Sequence, residues 1–110
     1  MLPAKNRLRK RRDFERVFNS KSAFSGRFFR LIYISNNLSF SRLGVVVSSK
    51  VSKRAVVRNK IRRRVYSFTK PYIKIINPTL DMAVIISKTA VEADIKEFKD
   101  DLTRVLEKVI

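Results

Sequence analysis

The sequence lacks cysteine, histidine and tryptophan altogether. Without cysteine the chain has no disulfide and no thiolate ligand for a metal. Without histidine it has no imidazole to act as a general base or as a ligand. The side chains that enzymes use most often are therefore missing, and catalysis by this chain alone would rest on Asp, Glu, Lys, Ser or Tyr.

Glycine, proline and long apolar runs are scarce. The 110 residues include only 2 Gly and 3 Pro, so no long flexible linker divides the chain, and no glycine-rich phosphate loop is present. No apolar run approaches the roughly 20 residues of a membrane-spanning helix, and the start lacks the apolar region of a secretory signal. With 45% apolar residues for a core, we expect one domain over residues 1–110, in the cytoplasm, with no membrane partner.

Positive charge is abundant and unevenly placed. The net charge of the whole chain is +17. Residues 1–91 contain 22 cations and three acids, so their net charge is +19. Solubility does not need such an uneven distribution of charge. A bound nucleic acid would offset the repulsion among these cations. The three acids, Asp13, Glu15 and Asp81, lack the spacing of a metal site or an acid–base pair, so we expect no catalytic residue and no metal ligand.

The N-terminal part combines cations with aromatic residues. We expect residues 1–12 to form a basic, irregular and flexible segment with cations at Arg7, Arg9, Arg11 and Arg12. A short helix is predicted over residues 13–20, since Phe14, Val17 and Phe18 fall on one helical face. Aromatic rings flanked by cations suit the stacking of unpaired bases, but phenylalanines at this spacing also suit a core.

Residues that alternate between two faces predict strands near residues 22–24 and 27–35, and a third over "RLGVVVSSK". In the second, Phe29, Leu31 and Tyr33 share the core face, and Phe28, Arg30 and Ile32 share the other. In the third, Leu43, Val45 and Val47 form the core face, and Gly44, Val46, Ser48 and Lys50 form a more polar one. One face of the sheet would then be packed and the other available to a ligand.

The stretch "VVRNKIRRRVYSF" over residues 56–68 predicts an amphipathic helix. Val57, Ile61, Val65 and Phe68 form its apolar stripe, and cations occupy the opposite side without a single acid. An apolar segment over residues 81–87 predicts an interior strand, and a last helix follows with charges of both signs. We expect an α+β fold, one sheet with helices on one face.

These segments resemble the protein subunit of bacterial ribonuclease P. The resemblance is carried by "NRLRKRRDFERVF", "SRLGVVVSSKVSKRAVVRNKIRRRV" and "DMAVIIS". It implies four strands and three helices in the order α-β-β-β-α-β-α, with a left-handed βαβ crossover. It also implies that an RNA subunit performs hydrolysis with bound Mg²⁺, that the protein alone binds no cofactor, and that the protein binds this RNA and the 5′ leader of precursor tRNA.

The resemblance assigns residues to two surfaces. The catalytic RNA would be contacted by Lys53, Arg54, Arg58, Asn59, Lys60, Arg62 and Arg63. The leader would lie in a cleft lined by Phe14, Phe18, Phe28, Arg30 and Lys50. The sequence departs from the family pattern at Lys60, which replaces an Arg; at Tyr66, where many relatives carry Arg; and at Ile32, where some carry an aromatic residue.

Two other functions compete with this interpretation. One is a general RNA-binding or ribosomal protein without a role in cleavage. The other is a DNA-binding regulator, which a helix-turn-helix would favour, but the cationic helix lies between a strand and a proline-containing loop.

Overall fold

The chain forms three helices and a four-stranded mixed sheet in a computed structural model that describes residues 2–110. The elements are α1 (Arg11–Phe18), β1 (Ala23–Ser25), β2 (Phe29–Ser35), β3 (Arg42–Val46), α2 (Ala55–Thr69), β4 (Leu80–Ile86) and α3 (Ile95–Glu107). The predicted order of helices and strands is confirmed. No helix within residues 2–110 is long and apolar enough to cross a membrane.

The fourth strand lies inside the sheet, whose order is β1-β2-β4-β3. β2 pairs with β4 in antiparallel fashion, and β3 pairs with β4 in parallel. Six of the seven residues of β4 are buried, which confirms the predicted interior strand. Because β3 and β4 are parallel, α2 lies in the crossover between them. The left-handed sense of this crossover stays a prediction from the resemblance.

Helices cover both faces of the sheet. The larger core joins the sheet residues Leu31, Leu43 and Val84 to α2 and α3. A smaller core lies beneath α1, where Val17 packs with Ile32 and Ala83. Neighbouring strand residues such as Leu31 and Ile32 point to opposite faces, and both are apolar. The expectation of helices on one face is therefore wrong, because the second face also needs an apolar cover.

The N-terminal segment is packed against the outer edge of β3. Leu2 is buried in the larger core and Leu8 in the smaller one. The Leu8 amide donates a hydrogen bond to the Leu43 carbonyl at 2.9 Å, and Asn6 Nδ2 donates to the Ser41 carbonyl at 2.8 Å. In this structure Leu2, Asn6 and Leu8 thus fix the N-terminal segment to the sheet, and Met1 lies outside the described residues. The flexibility of residues 1–12 without RNA stays a prediction. Covering β3 in this way also protects an otherwise open strand edge.

Candidate nucleic-acid interface

The predicted RNA-contacting residues lie together on α2 and the turn before it. Ile61 and Val65 are buried in the larger core, so the opposite side of the helix is turned outward. Arg58 and Arg62 are half-buried. The exposed members of the predicted set are Lys53, Arg54, Asn59, Lys60 and Arg63. No acid occurs between Val51 and Lys74 in the sequence, so nothing on this helix neutralises the cations.

Backbone carbonyls and one amide hold two of these arginines in place. Arg58 Nη1 donates to the Ser52 carbonyl at 2.9 Å. Arg62 Nη1 donates to Asn59 Oδ1 at 2.7 Å, and its Nη2 donates to the Val47 carbonyl at 3.4 Å. The neutral acceptors leave the positive charges uncompensated while restricting the side chains, which lowers the entropy lost when an anion binds. Asn59 therefore positions Arg62, a role that its place in the sequence motif did not reveal.

The Tyr66 hydroxyl of α2 is affected by charges of the N-terminal segment. Burial raises the pKa of Tyr66 above its ordinary value, although the Val45 backbone and the charges of Arg7, Arg62 and Arg9 act in the other direction. The phenol is therefore neutral at pH 7 and keeps its hydrogen for donation. Arginines from two distant parts of the sequence thus act on one hydroxyl group.

The face of the sheet that carries α1 is open at one end. Across three strands, Arg30, Ile85 and Val46 lie side by side. Arg30 is exposed, and Ile85 and Val46 are half-buried. Two residues further along each strand, Ile32, Ala83 and Gly44 form the next row, and all three are buried. The first row is therefore a partly exposed strip of the sheet at the edge of α1, and we take this strip as the floor of the predicted leader cleft.

Two phenylalanines of α1 line the same region. The rings of Phe14 and Phe18 lie 5.8 Å apart between centroids, tilted by 40°. Phe14 lies over Gly44, where a Cβ would overlap its ring. Phe18, one turn further along the helix, is 42% exposed. The same face of the sheet thus offers aromatic surface and an exposed guanidinium group, a combination that suits an unpaired nucleotide strand.

Two of the predicted cleft residues lie outside the strands to which alternation assigned them. Phe28 is buried and its ring stacks on Phe98 of α3 at 5.8 Å, so the prediction that it shares a face with Arg30 is wrong. The physical reason is that β2 begins only at Phe29, and strand alternation does not extend into the preceding turn. Lys50 lies in an exposed turn beyond the end of β3 at Val46, so alternation does not place it in the cleft either.

A buried ionic network, which the sequence analysis missed, fixes α1 to the sheet. Asp81 of β4 is fully buried and forms an ion pair with Arg16 of α1. Arg42 Nε and Nη2 donate to the two Asp81 carboxylate oxygens at 2.8 and 2.6 Å. Asn36 Nδ2 donates to the same carboxylate at 2.8 Å, and Arg42 Nη1 donates to Asp13 of α1 at 3.3 Å. Both turns of α1 are therefore tied to the strands beneath them.

The Asp81 carboxylate stays charged in this network. Burial alone would raise the pKa of Asp81, but the hydrogen bonds from Arg42 and Asn36 and the charges of Arg42 and Arg16 outweigh it, so the pKa lies below its ordinary value. The network forms over sequence separations of 39 and 65 residues, which no local pattern indicates. Within residues 2–110 no three acidic side chains are grouped so that they could hold a metal ion.

Comparison with known proteins identifies the family. The family model named Ribonuclease P matches residues 2–110. The ribonuclease P protein component of Pseudanabaena sp. is 35% identical over 98% of this chain and 94% of its own length. That of Coxiella burnetii is 33% identical over 90% of this chain and 81% of its own.

Solved structures show the same fold. A Staphylococcus aureus ribonuclease P protein, a mutant with defective mRNA degradation activity, superposes with a TM-score of 0.87 at 29% identity, covering 96% of this chain and 91% of its own. The Thermotoga maritima protein in complex with 1-(4-fluorophenyl)-2-thiourea gives 0.83 at 30% identity, covering 94% and 100%. The chain belongs to the ribonuclease P protein family, the protein components of the ribonuclease P holoenzyme.

Proposed function

We propose that this protein binds the catalytic RNA of ribonuclease P and the 5′ leader of precursor tRNA, and so assists the RNA in endonucleolytic removal of the leader. The observation that carries the proposal is the presence of two dissimilar surfaces on opposite faces of one sheet. The α2 surface is cationic and free of acids, whereas the cleft beside α1 combines aromatic rings with one exposed arginine.

The α2 surface suits a structured RNA backbone. Guanidinium groups form two parallel hydrogen bonds with a phosphate, and several lie along one helix here. Arg58 and Arg62 are already held by Ser52, Asn59 and Val47. Lys60, where the family has a second Arg, keeps the charge but offers a single ammonium group. Phosphate contacts of this kind give affinity and orientation rather than sequence selection.

The cleft suits the leader, which is single-stranded. Bases without a pairing partner can stack on Phe18 and on the exposed part of Phe14, and Arg30 can contact a phosphate. The half-buried Ile85 and Val46 supply an apolar floor between them. Mature tRNA has no leader, so this surface distinguishes the substrate from the product.

The two surfaces give the protein a positioning role. With the catalytic RNA on α2 and the leader in the cleft, the rigid sheet would hold the cleavage site of the precursor against the RNA. Hydrolysis and its Mg²⁺ would belong to the RNA. Asp81 does not fit a Mg²⁺ site, because its oxygens accept hydrogen bonds from Arg42 and Asn36. The proposal places the protein in the cytoplasm, where precursor tRNA is cleaved.

Competition binding tests the proposal. Labelled ribonuclease P RNA is titrated with the protein in the presence of an unrelated structured RNA of equal length. The affinity of the complex of protein and catalytic RNA is then compared for precursor tRNA and for mature tRNA. We expect preference for ribonuclease P RNA and for the leader-bearing substrate. Equal affinity for every structured RNA, with no discrimination between precursor and mature tRNA, would instead indicate a general RNA-binding protein.

A further inference from the structure

A basic groove of about 260 Å³ lies between the N-terminal segment, the start of α1 and the loop before β3. Its lining residues are Ala4, Lys5, Arg7, Arg9, Lys10, Asp13, Phe40 and Arg42. Neither the α2 surface nor the leader cleft includes it. The hydrogen bond between Leu8 and Leu43 fixes the N-terminal segment to the edge of β3, so the fold fixes the backbone that carries these cations.

Most of the charge in this groove has no counterion. The single acid, Asp13, is paired with Arg42, and Arg42 is also paired with the buried Asp81. The ion pairs within residues 2–110 include none of the other four cations, which are Lys5, Arg7, Arg9 and Lys10. Four uncompensated cations around one concavity repel one another unless an anion lies among them.

Arg7 gives a second indication of a missing anion. Its Nε is buried, and within residues 2–110 it has no hydrogen-bond partner. The backbone of Arg7 is bridged to Leu43 of β3, so its main chain is fixed beside the groove. A buried donor without an acceptor is unfavourable, and a rotation of the Arg7 side chain into the groove would let a phosphate oxygen supply that acceptor.

We propose that this N-terminal groove binds phosphates of the catalytic RNA and extends the α2 surface around the outer edge of β3. The inference rests on the proposed function, which supplies the RNA partner. Guanidinium and ammonium groups without counterions are the side chains that bind a phosphodiester backbone. Phe40 also lines the groove; it is half-buried, with Lys5 Nζ 5.6 Å from its ring centroid.

The position of the groove favours the catalytic RNA over the leader. Arg7 is bridged to Leu43 of β3, and Arg62 of α2 donates to the Val47 carbonyl just beyond the same strand, so the groove and the α2 surface flank one edge strand. The leader cleft begins at Val46, four residues along β3 from Arg42, or roughly 13 Å away. The buried row of Ile32, Ala83 and Gly44 beneath α1 separates the two.

Two double variants test the inference with equal loss of charge. Arg9→Ala/Lys10→Ala removes two groove cations, and Arg11→Ala/Arg12→Ala removes two neighbouring exposed cations that do not line the groove. Affinity for ribonuclease P RNA is measured across a range of salt concentrations. For the groove variant we expect about tenfold weaker binding. The slope of log affinity against log salt should also fall by roughly 1.4 to 1.8, the value for two phosphate contacts.

The result that would overturn the inference is an equal effect of both double variants, which would show a general charge effect. A groove variant that loses only the preference for precursor tRNA would also overturn it, because the groove would then contact the leader. If the wild-type protein does not prefer ribonuclease P RNA over an unrelated structured RNA, the proposed function is overturned. The catalytic RNA then also falls as the partner of the groove.

A cross-link provides an independent test, because the chain has no cysteine and an introduced thiol is unique. Lys10→Cys carrying a photoreactive group should cross-link to the catalytic RNA within the complete holoenzyme bound to precursor tRNA. Lys96→Cys on α3 is the control and should not. Cross-linking of Lys10→Cys to the leader, or to neither RNA, would contradict the assignment.

Discussion

The ring of Phe14 on α1 lies directly over Gly44 of β3, in space that any larger residue at position 44 would fill. Glycine is needed here for close approach rather than for an unusual backbone, since its φ is not positive. The contact brings α1 down onto the sheet and sets the height of the Phe14 ring above the cleft. The shape of the cleft therefore depends on a missing side chain.

The first prediction concerns Gly44→Ala. Overpacking against the Phe14 ring should lower the free energy of unfolding by about 1–3 kcal/mol and weaken the preference for precursor over mature tRNA. Urea unfolding and competition binding measure the two effects. In a Phe14→Ala background the same substitution should lower the free energy of unfolding by clearly less, because the ring is gone. Equal costs in both backgrounds would show that Phe14 is not the obstacle.

The second prediction separates two phenylalanines that the sequence places near one cleft. Phe18→Ala should weaken binding of leader-bearing substrate by about 1–3 kcal/mol with little change in stability, since its ring is 42% exposed. Phe28→Ala should instead lower the free energy of unfolding by about 3–5 kcal/mol, because the ring is buried against Phe98. Thermal unfolding and substrate affinity are measured for both variants. Loss of stability in Phe18→Ala together with loss of substrate affinity in Phe28→Ala would refute the placement of Phe18 at the surface and Phe28 in the core.

The third prediction concerns the buried network. Asp81→Asn should lower the free energy of unfolding by about 3 kcal/mol, since it leaves Arg42 and Arg16 without their buried partner. It should also reduce discrimination between precursor and mature tRNA, because α1 loses its anchors on the strands. Asp100→Asn, at an exposed acid of α3, is the matched control and should change neither. An Asp81→Asn protein as stable as the wild type would show that the network contributes no net stability.

The fourth prediction is the pH dependence of this network. The pKa of Asp81 is lowered in the folded protein, whereas in the unfolded chain it is about 3.9. Its contribution to stability is therefore present above about pH 4 and is lost as the pH falls through the lower, folded pKa. The difference in unfolding free energy between wild type and Asp81→Asn should be constant from pH 5 to 7 and shrink below about pH 4. A difference that does not change with pH would exclude the charged carboxylate as its source.

The fifth prediction concerns the hydrogen bond between Asn59 and Arg62 on α2. Arg62→Ala removes a cation, and Asn59→Ala removes the group that holds it. Both should weaken binding to ribonuclease P RNA, and the double variant should be less impaired than the sum of the two, because they act through one contact. Lys96→Ala on α3 controls for loss of a single exposed charge. Strictly additive effects would mean that Asn59 contacts the RNA independently of Arg62.

The sequence predicted the elements whose signal is local. Alternation placed Leu43, Val45 and Val47 on the core face of the predicted third strand, and all three are buried. Helical spacing placed Ile61 and Val65 beneath α2 with the cations outward. The same alternation failed at Phe28, because the strand starts one residue later and the turn before it follows no period.

The remaining features depend on contacts between distant residues. Leu2 and Leu8 resemble isolated apolar residues in a basic run, and only the fold shows that they fill two different cores. Asp81 has no acidic neighbour in the sequence, so its pairing with Arg16 and Arg42 has no motif to indicate it. The groove at Arg7 and Arg9 likewise exists only once the N-terminal segment lies on β3.

The most direct test of the central claim is cleavage of precursor tRNA by a bacterial ribonuclease P RNA at low Mg²⁺, with and without this protein. Strong stimulation that yields the correct mature 5′ end is the predicted result. A folded protein that binds RNA but leaves the rate and the position of cleavage unchanged would contradict the account.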